Sequence, residues 1–392
     1  MRQWTDEQQA LRQGFTDSFA YWGEGHIQRD QDSEFPREQW KLVGESGLLG
    51  LPFEAEWGGG AQDLLTTMYV LEGLGYHCRD NGLNFSVATQ IVSAGIPIQR
   101  FGSDYLKSRY LPGVCTGALI GAHAITEPQG GSDAAAMQTS AQRDGDSFVL
   151  NGEKCFISNG PVADLFLIYA RTAAGNSPFG MTVFVVERGT PGFDIGPPVE
   201  KMGLRTSPFG NLSFHDCRIP AANVVGRVGR GFVILDYVMK WEILCNFITS
   251  VGTMQHRMER CVEFARSRVQ FGASIGSNQL ISNKIVNMKI GVETARMWMY
   301  ETAERFMAGE DVMTDIAVAK LLASESNLSS ALDAVQIFGG RGYTVDCALE
   351  KDLRDATGGT IYSGASELQR AKIARMIGVE SNRSQTSPME RS

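Results

Sequence analysis

Hydrophobic positions in the first hundred residues have the spacing of amphipathic helices. Between Asp6 and about Pro112, apolar residues recur every three or four positions, as in REQWKLVGESGLLGL and LLTTMYVLEGLGY. Such spacing places the apolar side chains on one face of a helix. The glycine-rich turn EWGGGAQD separates the two runs. The pattern therefore predicts an N-terminal helical domain over residues 1–120.

Between about Ala122 and Val225 the period of the pattern changes to two. The segments SFVLNGEKCFIS, DLFLIYART and GMTVFVVERG carry this change, which is typical of β-strands. Asn151 and Gly152 both tolerate the positive φ of a type I′ turn, so this pair predicts a tight hairpin. We expect a middle β domain over residues 121–228.

Helical spacing returns from Gly231 onwards. Three long segments have it, and they begin near FVILDYV, IVNMKIG and TDIAVAK. They predict a C-terminal helical domain over residues 229–380. The polar run SNRSQTSPMERS ends the sequence, and we expect residues 381–392 to be a disordered tail. The predicted order along the chain is therefore helical, β, helical.

Composition and charge restrict the possible classes of function. The chain has 392 residues, of which 43% are hydrophobic and 20% charged, enough for two or three domains with sizeable cores. The net charge of -8 and the pI near 5.3 argue against a nucleic-acid or anionic-membrane surface. No segment reaches the ~20 apolar residues of a membrane span. Seven scattered cysteines without a CxxC pair and five dispersed histidines predict a cytoplasmic protein without a metal site.

Two polar motifs are the first candidates for chemistry. In AITEPQGGSDAAA, two adjacent glycines and Ser132 form a turn with free backbone donors, and Thr126 adds a hydroxyl, which suits a nucleotide phosphate. In KCFISNGP, Phe156 can cover a flat ring and Ser158 can donate to its edge. Taken singly, the first motif also fits an ordinary surface turn and the second a plain strand end.

Together, in this order, the motifs resemble those of the FAD-dependent acyl-CoA dehydrogenase family. ITEPxxGSD and FISNG are followed by KMGLRTSPFGNLSFHDCRIP, RSRVQFG and QIFGGRGY, and the similarity extends from about residue 5 to residue 380. The resemblance implies an α+β fold with an N-terminal helical domain, a middle β-barrel-like domain and a C-terminal four-helix bundle. It also implies an FAD cofactor and an acyl thioester substrate.

The resemblance assigns cofactor contacts motif by motif. Thr126, Gly131 and Ser132 match groups that contact the flavin ring and the pyrophosphate, while Phe156 and Ser158 match the pair that backs the ring. In the family, a neighbouring subunit completes the site, which implies a homo-oligomer, with a tetramer expected. The other cofactor-side positions are His123, interpreted as a wall residue, and Arg268, Gln270, Phe271, Gln279, Gln336, Gly339, Gly340 and Glu367.

The reaction of this family also requires a catalytic base. Oxidation between the α and β carbons needs a group that removes the α-proton while the flavin accepts the β-hydride. Many members carry a glutamate in the C-terminal loop, where this chain has Ser363. Serine cannot do this alone. Isovaleryl-CoA-type members carry the glutamate on the first long helix of the C-terminal domain, and the resemblance then assigns the base to Glu242.

The surroundings of Glu242 in the sequence support a buried base. Its neighbours at helical spacing form a mainly apolar stripe, made of Val238, Met239, Cys245 and Asn246. Asp236 and Lys240 mark the solvated face. We expect burial to raise the pKa of Glu242 toward the working pH. The alternative is a glutamate that is merely paired or extends to solvent.

The C-terminal loop itself carries a helix-start pattern. In Ser366-Glu367-Leu368-Gln369, the serine is predicted to cap the following helix and the glutamine to bond back, as in a capping box.

The substrate class is less sharply defined by the sequence. Ile243 stands where many CoA-using members have an arginine. The strings MKWE, IFGGRG and YSGAS resemble the subgroup that oxidises prolyl or related groups on peptidyl carrier proteins in secondary metabolism. A free short or branched acyl-CoA is the alternative substrate. A flavin oxidase or monooxygenase and a non-enzymatic flavin-binding relative also stay open, as does the electron acceptor, an electron-transfer flavoprotein or oxygen.

Overall fold

The computed structural model describes residues 2–173, 175 and 178–379. The predicted disordered tail, residues 381–392, lies outside the described residues. Helices occupy the chain up to Cys115, strands run from Gly121 to Val225, and helices return at Gly231. The predicted helical, β, helical order is confirmed.

The N-terminal helices surround a core of large apolar side chains. Helix α5 is buried along almost its whole length and packs on the long helix α9 of the C-terminal region. Between α6 and α7 the chain forms a π-helical turn, Gln90–Gly95, in which every residue is buried. The helices are α1 (Asp6–Gly14), α2 (Thr16–Gly23), α3 (His26–Asp32), α4 (Arg37–Glu45), α5 (Leu64–His77), α6 (Asn81–Thr89), α7 (Ile96–Phe101) and α8 (Asp104–Cys115).

Within the described residues, the middle region forms one eight-stranded sheet. Its order is β6-β7-β3-β2-β4-β5-β8, and β1 pairs in parallel with β4. Strands β4 and β5 are buried on both faces, which explains their nearly continuous apolar sequences. The strands are β1 (Gly121–Ala124), β2 (Ser140–Asp144), β3 (Ser147–Ser158), β4 (Leu165–Arg171), β5 (Met181–Glu187), β6 (Phe193–Ile195), β7 (Phe209–Pro220) and β8 (Val224–Val225).

The hairpin predicted at Asn151 and Gly152 is wrong. Strand β3 runs straight through this pair, and the tight turn before it lies at Gly145, between β2 and β3. Gly152 does have a positive φ of 140°, but at an irregularity in the pairing of β3 with β7. A Cβ there would lie 2.7 Å from Cα of Thr139. The same backbone freedom thus serves a β-bulge instead of a turn.

The C-terminal region is built on three long helices that pack on one another. Helix α11 contacts α9, α10, α12 and α13. No helix of the described ranges is long and apolar enough to cross a membrane. The elements are α9 (Gly231–Ser267), β9 (Val269–Gln270), β10 (Ala273–Ser274), α10 (Gln279–Met307), α11 (Met313–Phe338), α12 (Leu349–Gly358) and α13 (Ser366–Met376).

Candidate active site

Glu242 lies on α9 at the meeting point of four parts of the chain. Its side chain is buried, with 8% of the residue exposed. Ser363 Oγ donates to Oε1 at 2.5 Å, and Ser93 Oγ donates to Oε2 at 3.4 Å. His123 Nε2 lies 3.2 Å from Oε2. The C-terminal loop, the π-helical turn and β1 therefore all hold one carboxylate.

The π-helical turn and β1 are joined to each other by a second buried side chain. The Gln90 amide donates to the carbonyls of Leu119 at 2.7 Å and Val114 at 3.1 Å. Its oxygen accepts the N–H of Gly121 at 2.7 Å, at the start of β1. Because Gln90 fixes the distance between these elements, Ser93 and His123 approach Glu242 from fixed directions.

A buried glutamine also holds the loop that carries Ser363. Gln369 is fully buried, and its amide donates to the carbonyls of Ser363 at 3.1 Å and Gly364 at 3.3 Å. Ser363 itself has a positive φ of 54°, which this pair of hydrogen bonds helps to maintain. The capping box predicted here is wrong, because Ala365 is the N-cap of α13 and Gln369 bonds the loop instead of the helix start.

The electrostatic state of Glu242 differs from the expectation. Burial is the largest effect and raises its pKa. The electrostatic attraction of His123 and hydrogen bonds from His123, Ser363 and Ser93 outweigh burial, so the pKa of Glu242 lies below its usual value. The predicted rise is therefore wrong for this state of the site, and Glu242 is ionised at neutral pH.

Other buried polar groups around Glu242 were not predicted from the sequence. Burial, and then the nearby Glu242 carboxylate, raise the pKa of Tyr169 on β4 and of Tyr362 in the C-terminal loop. Tyr169 lies at the end of the apolar run LFLIYAR, and Ser93 lies within IVSAG. The available signal was a single polar residue inside an apolar run, but such a signal does not show which other residue it contacts.

The two predicted flavin motifs lie side by side in the structure. The N–H of Cys155 donates to the carbonyl of Thr126 at 2.9 Å, so the ITEP turn runs next to the end of β3. Lys154 and Glu127, both buried, form an ion pair at 2.7 Å behind this contact. Burial lowers the pKa of Lys154 to about 8 against the opposing effect of Glu127. This pair was not predicted from the sequence.

Phe156 has the exposure and backbone of a residue that contacts a ligand. Its side chain is 59% exposed and its φ is 58°, at an irregularity between β3 and β7. Phe209 packs edge-on against its ring at 5.5 Å. Ser158 is half-buried at the end of the same strand, while Gly131 and Ser132 are exposed on the neighbouring turn. An exposed ring beside free backbone donors and hydroxyls fits a flat heterocycle with a phosphate chain.

The remaining predicted cofactor residues are exposed on the surface of the single chain. Phe271 is fully exposed in the β9–β10 hairpin, with a φ of 53°. A Cβ at Gly339 or Gly340 would meet no described atom within 4 Å. The exposed residues of this group are Arg268, Gln270, Phe271, Gln279, Gln336, Gly339, Gly340 and Glu367.

Comparison with known proteins places the chain in a family. The models of the N-terminal, middle and C-terminal domains of acyl-CoA dehydrogenases match residues 5–118, 122–217 and 229–378. The chain belongs to the acyl-CoA dehydrogenase family. It is 39% identical over 345 residues to an L-prolyl-(peptidyl-carrier protein) dehydrogenase of Pseudomonas fluorescens, covering 88% of this chain and 90% of the relative.

Solved structures agree with this placement. The prolyl acyl carrier protein oxidase AnaB superposes with a TM-score of 0.92 at 38% identity, covering 96% of this chain and 100% of that one. The FAD complex of PigA superposes with a TM-score of 0.94 at 34% identity, covering 97% of this chain and 100% of that one. The predicted family and fold class are therefore confirmed.

Proposed function

We propose that this protein is an FAD-dependent dehydrogenase that oxidises a prolyl group carried as a thioester on a carrier protein. The observation that carries the proposal is the buried, ionised Glu242, held by Ser363 at the position of the alternative base. The similarity to prolyl-carrier-protein dehydrogenases supports the substrate class. FAD supplies the acceptor for the β-hydride.

The chain's own groups have separate roles in this proposal. Glu242 removes the α-proton, and its lowered pKa keeps it in the basic form at neutral pH. Phe156 and Ser158 would hold the flavin ring, and His123, which contacts Glu242, would form part of the wall of the site. Thr126, Gly131 and Ser132 bind the ring edge and the pyrophosphate.

A second subunit completes the cofactor site in the proposed assembly. Arg268 and the glycines after α11 are exposed on the single chain, which suits contacts to the FAD of a neighbour. We propose a homotetramer in the cytoplasm, active in secondary metabolism. The free, buried state of all seven cysteines suits a reducing compartment.

Two questions of chemistry are answered by one experiment. A free acyl-CoA is the second candidate substrate, and Ile243 disfavours it because it replaces an arginine that many CoA-using members have. Anaerobic mixing of the purified holoenzyme with prolyl-carrier protein and with short acyl-CoAs should bleach the flavin only with the first. Re-oxidation by air or by an electron-transfer flavoprotein then identifies the acceptor.

Replacing the proposed base tests the mechanism. Glu242→Gln keeps the shape of the side chain and one accepting oxygen but removes the proton acceptor. We expect FAD to stay bound and the rate of flavin reduction to fall by at least about 100-fold, within the usual contribution of a general base. A variant that is reduced at the normal rate would exclude Glu242 as the base.

A further inference from the structure

The helix that carries the base has a continuous stripe of buried polar residues. Following Glu242 at helical spacing, the stripe consists of Asn246, Thr249, Thr253 and Arg257, each less than one-tenth exposed. Such a stripe is unusual inside a helical domain, where this face is normally apolar.

Three members of the stripe beyond the base have partners within the protein. Thr249 donates to the carbonyl of Asn246 at 2.6 Å, and Thr253 donates to the carbonyl of Gly75 at 3.1 Å. Arg257 donates to the Asn327 side chain at 3.0 Å. These residues are satisfied structural groups.

Asn246 differs from the others because its Oδ1 has no hydrogen-bond partner in the described part of the chain, although the residue is only 2% exposed. A buried amide oxygen without a partner costs folding free energy, so it needs an explanation. A water-sized cavity of about 30 Å³ lies further along α9, lined by Thr249, Ser250 and Tyr362 among others. Asn246 does not line that cavity, so a water there would not satisfy it.

Two more buried polar atoms near the base lack partners among the residues described. They are Nδ1 of His123, which binds Glu242 with its other nitrogen, and the hydroxyl of Tyr169, whose pKa is raised in part by Glu242. In a pocket for a plain hydrocarbon chain, such groups would stay without hydrogen bonds, which costs free energy. The surroundings of Glu242 therefore suit an acyl group that carries a heteroatom.

We infer that Asn246 recognises the ring nitrogen of the acyl group, with its Oδ1 accepting a hydrogen bond from the ring N–H. This inference rests on the proposed function. The nitrogen of a prolyl group is bonded directly to the α-carbon from which Glu242 takes the proton. Side chains one helical turn apart on the same face are separated by about 5–6 Å. A hydrogen bond of about 2.9 Å from the ring nitrogen can therefore span to Asn246 while the neighbouring α-carbon faces Glu242. Asn246 is thus a residue that determines specificity for a cyclic amino-acyl substrate.

The test compares two acyl groups of the same shape on the same carrier protein. Prolyl and cyclopentanecarbonyl thioesters have five-membered rings, but only the first has the N–H. With Asn246→Leu, we expect the rate of anaerobic flavin reduction by the prolyl thioester to fall about tenfold, the usual value of one hydrogen bond. The rate with the cyclopentanecarbonyl thioester should change less than about threefold, because no hydrogen bond is lost.

The controls separate the possible failures. Thr249→Val replaces a neighbouring polar group that is satisfied by the backbone, and it should keep the wild-type ratio of the two rates. Asn246→Ala provides a second variant if the leucine is not accommodated. Equal losses on both thioesters, or loss of FAD by Asn246→Leu, would overturn the inference. Failure of the wild-type protein to react with the prolyl thioester would instead contradict the proposed function.

Discussion

At the residue scale, the two positions that the sequence offers for a base meet at one carboxylate. Ser363 occupies the loop position, and its hydroxyl lies 2.5 Å from Oε1 of Glu242 on α9. A glutamate from the helix therefore reaches the point where a loop glutamate would act. The serine at the loop position is a hydrogen-bond donor to the proposed base.

The pH dependence of the reaction should report the His123 contact. In the wild type, the pKa of Glu242 lies below its ordinary value of 4.5, because the effects of His123, Ser363 and Ser93 outweigh burial. His123→Phe removes the electrostatic attraction and one hydrogen bond but keeps a ring at this position. Burial then dominates and the pKa of Glu242 rises. The acid limb of the rate of flavin reduction should move to higher pH.

His123→Phe should also change how the free energy of unfolding depends on pH, because it raises the folded-state pKa of Glu242. A carboxyl with a lowered folded-state pKa stabilises the fold above its unfolded pKa, and this contribution is lost as the pH falls through the folded value.

The titratable groups facing Glu242 are His123 from β1, Tyr169 from β4 and Tyr362 from the loop. Both tyrosines stay neutral at acid pH, so they do not move the acid limb. Glutamine removes the electrostatic attraction of His123 but offers an amide donor to Glu242, whereas phenylalanine offers none, so His123→Gln should shift the acid limb of flavin reduction less than His123→Phe. An unchanged profile in both variants would remove His123 from the electrostatics of the base.

At the element scale, the candidate site is formed by the irregular ends of helices and strands. Regular spacing in the sequence predicts the elements themselves but not these irregular ends. The repeated apolar spacing was enough for the three regions and for the buried face of Glu242. The contact between Ser93 and Glu242 joins residues 149 positions apart, and no local pattern encodes it. Asn151 and Gly152 were misassigned because a β-bulge needs the same positive φ as a hairpin turn. Phe156 was predicted from its motif, but its strained φ was not.

The buried pair behind the flavin turn should be important for stability. Lys154→Met leaves the buried Glu127 carboxylate with only the backbone donors of Gln138 at 2.5 Å and Thr139 at 2.9 Å. Removing one member of a buried ion pair typically costs about 3 kcal/mol or more. We expect a loss of that size in the free energy of unfolding, measured by urea denaturation of the holoenzyme.

A surface pair on the same sheet is the matched control. Arg218 and Asp144 form an ion pair whose side chains are 57% and 59% exposed. Arg218→Met should cost less than about 1 kcal/mol, because solvent screens such pairs. Equal effects of the two substitutions would show that the Lys154 pair contributes no more than a surface contact.

At the scale of the whole molecule, the predicted cofactor residues divide into two groups. Thr126, Phe156 and Ser158 lie in the middle region, whereas Arg268 and Phe271 are exposed beyond the end of α9. Contacts within the described part of a single chain do not bring the two groups of residues to one cofactor. An assembly in which each site takes Glu242 from one subunit and Arg268 from another accounts for both.

This division predicts that two defective variants will restore activity to each other when they are co-expressed. Arg268→Ala should weaken FAD retention about tenfold or more through loss of a charged hydrogen bond, and Glu242→Gln removes the base. If Arg268 acts on the FAD of a neighbour, random pairing after co-expression leaves half of the sites in each mixed pair intact. The preparation should then recover about a quarter of the wild-type activity per chain, as expected for a symmetric shared site. Mixing the separately purified variants without exchange of subunits is the control. If Arg268 serves the site of its own chain, every site lacks one of the two residues and co-expression restores nothing.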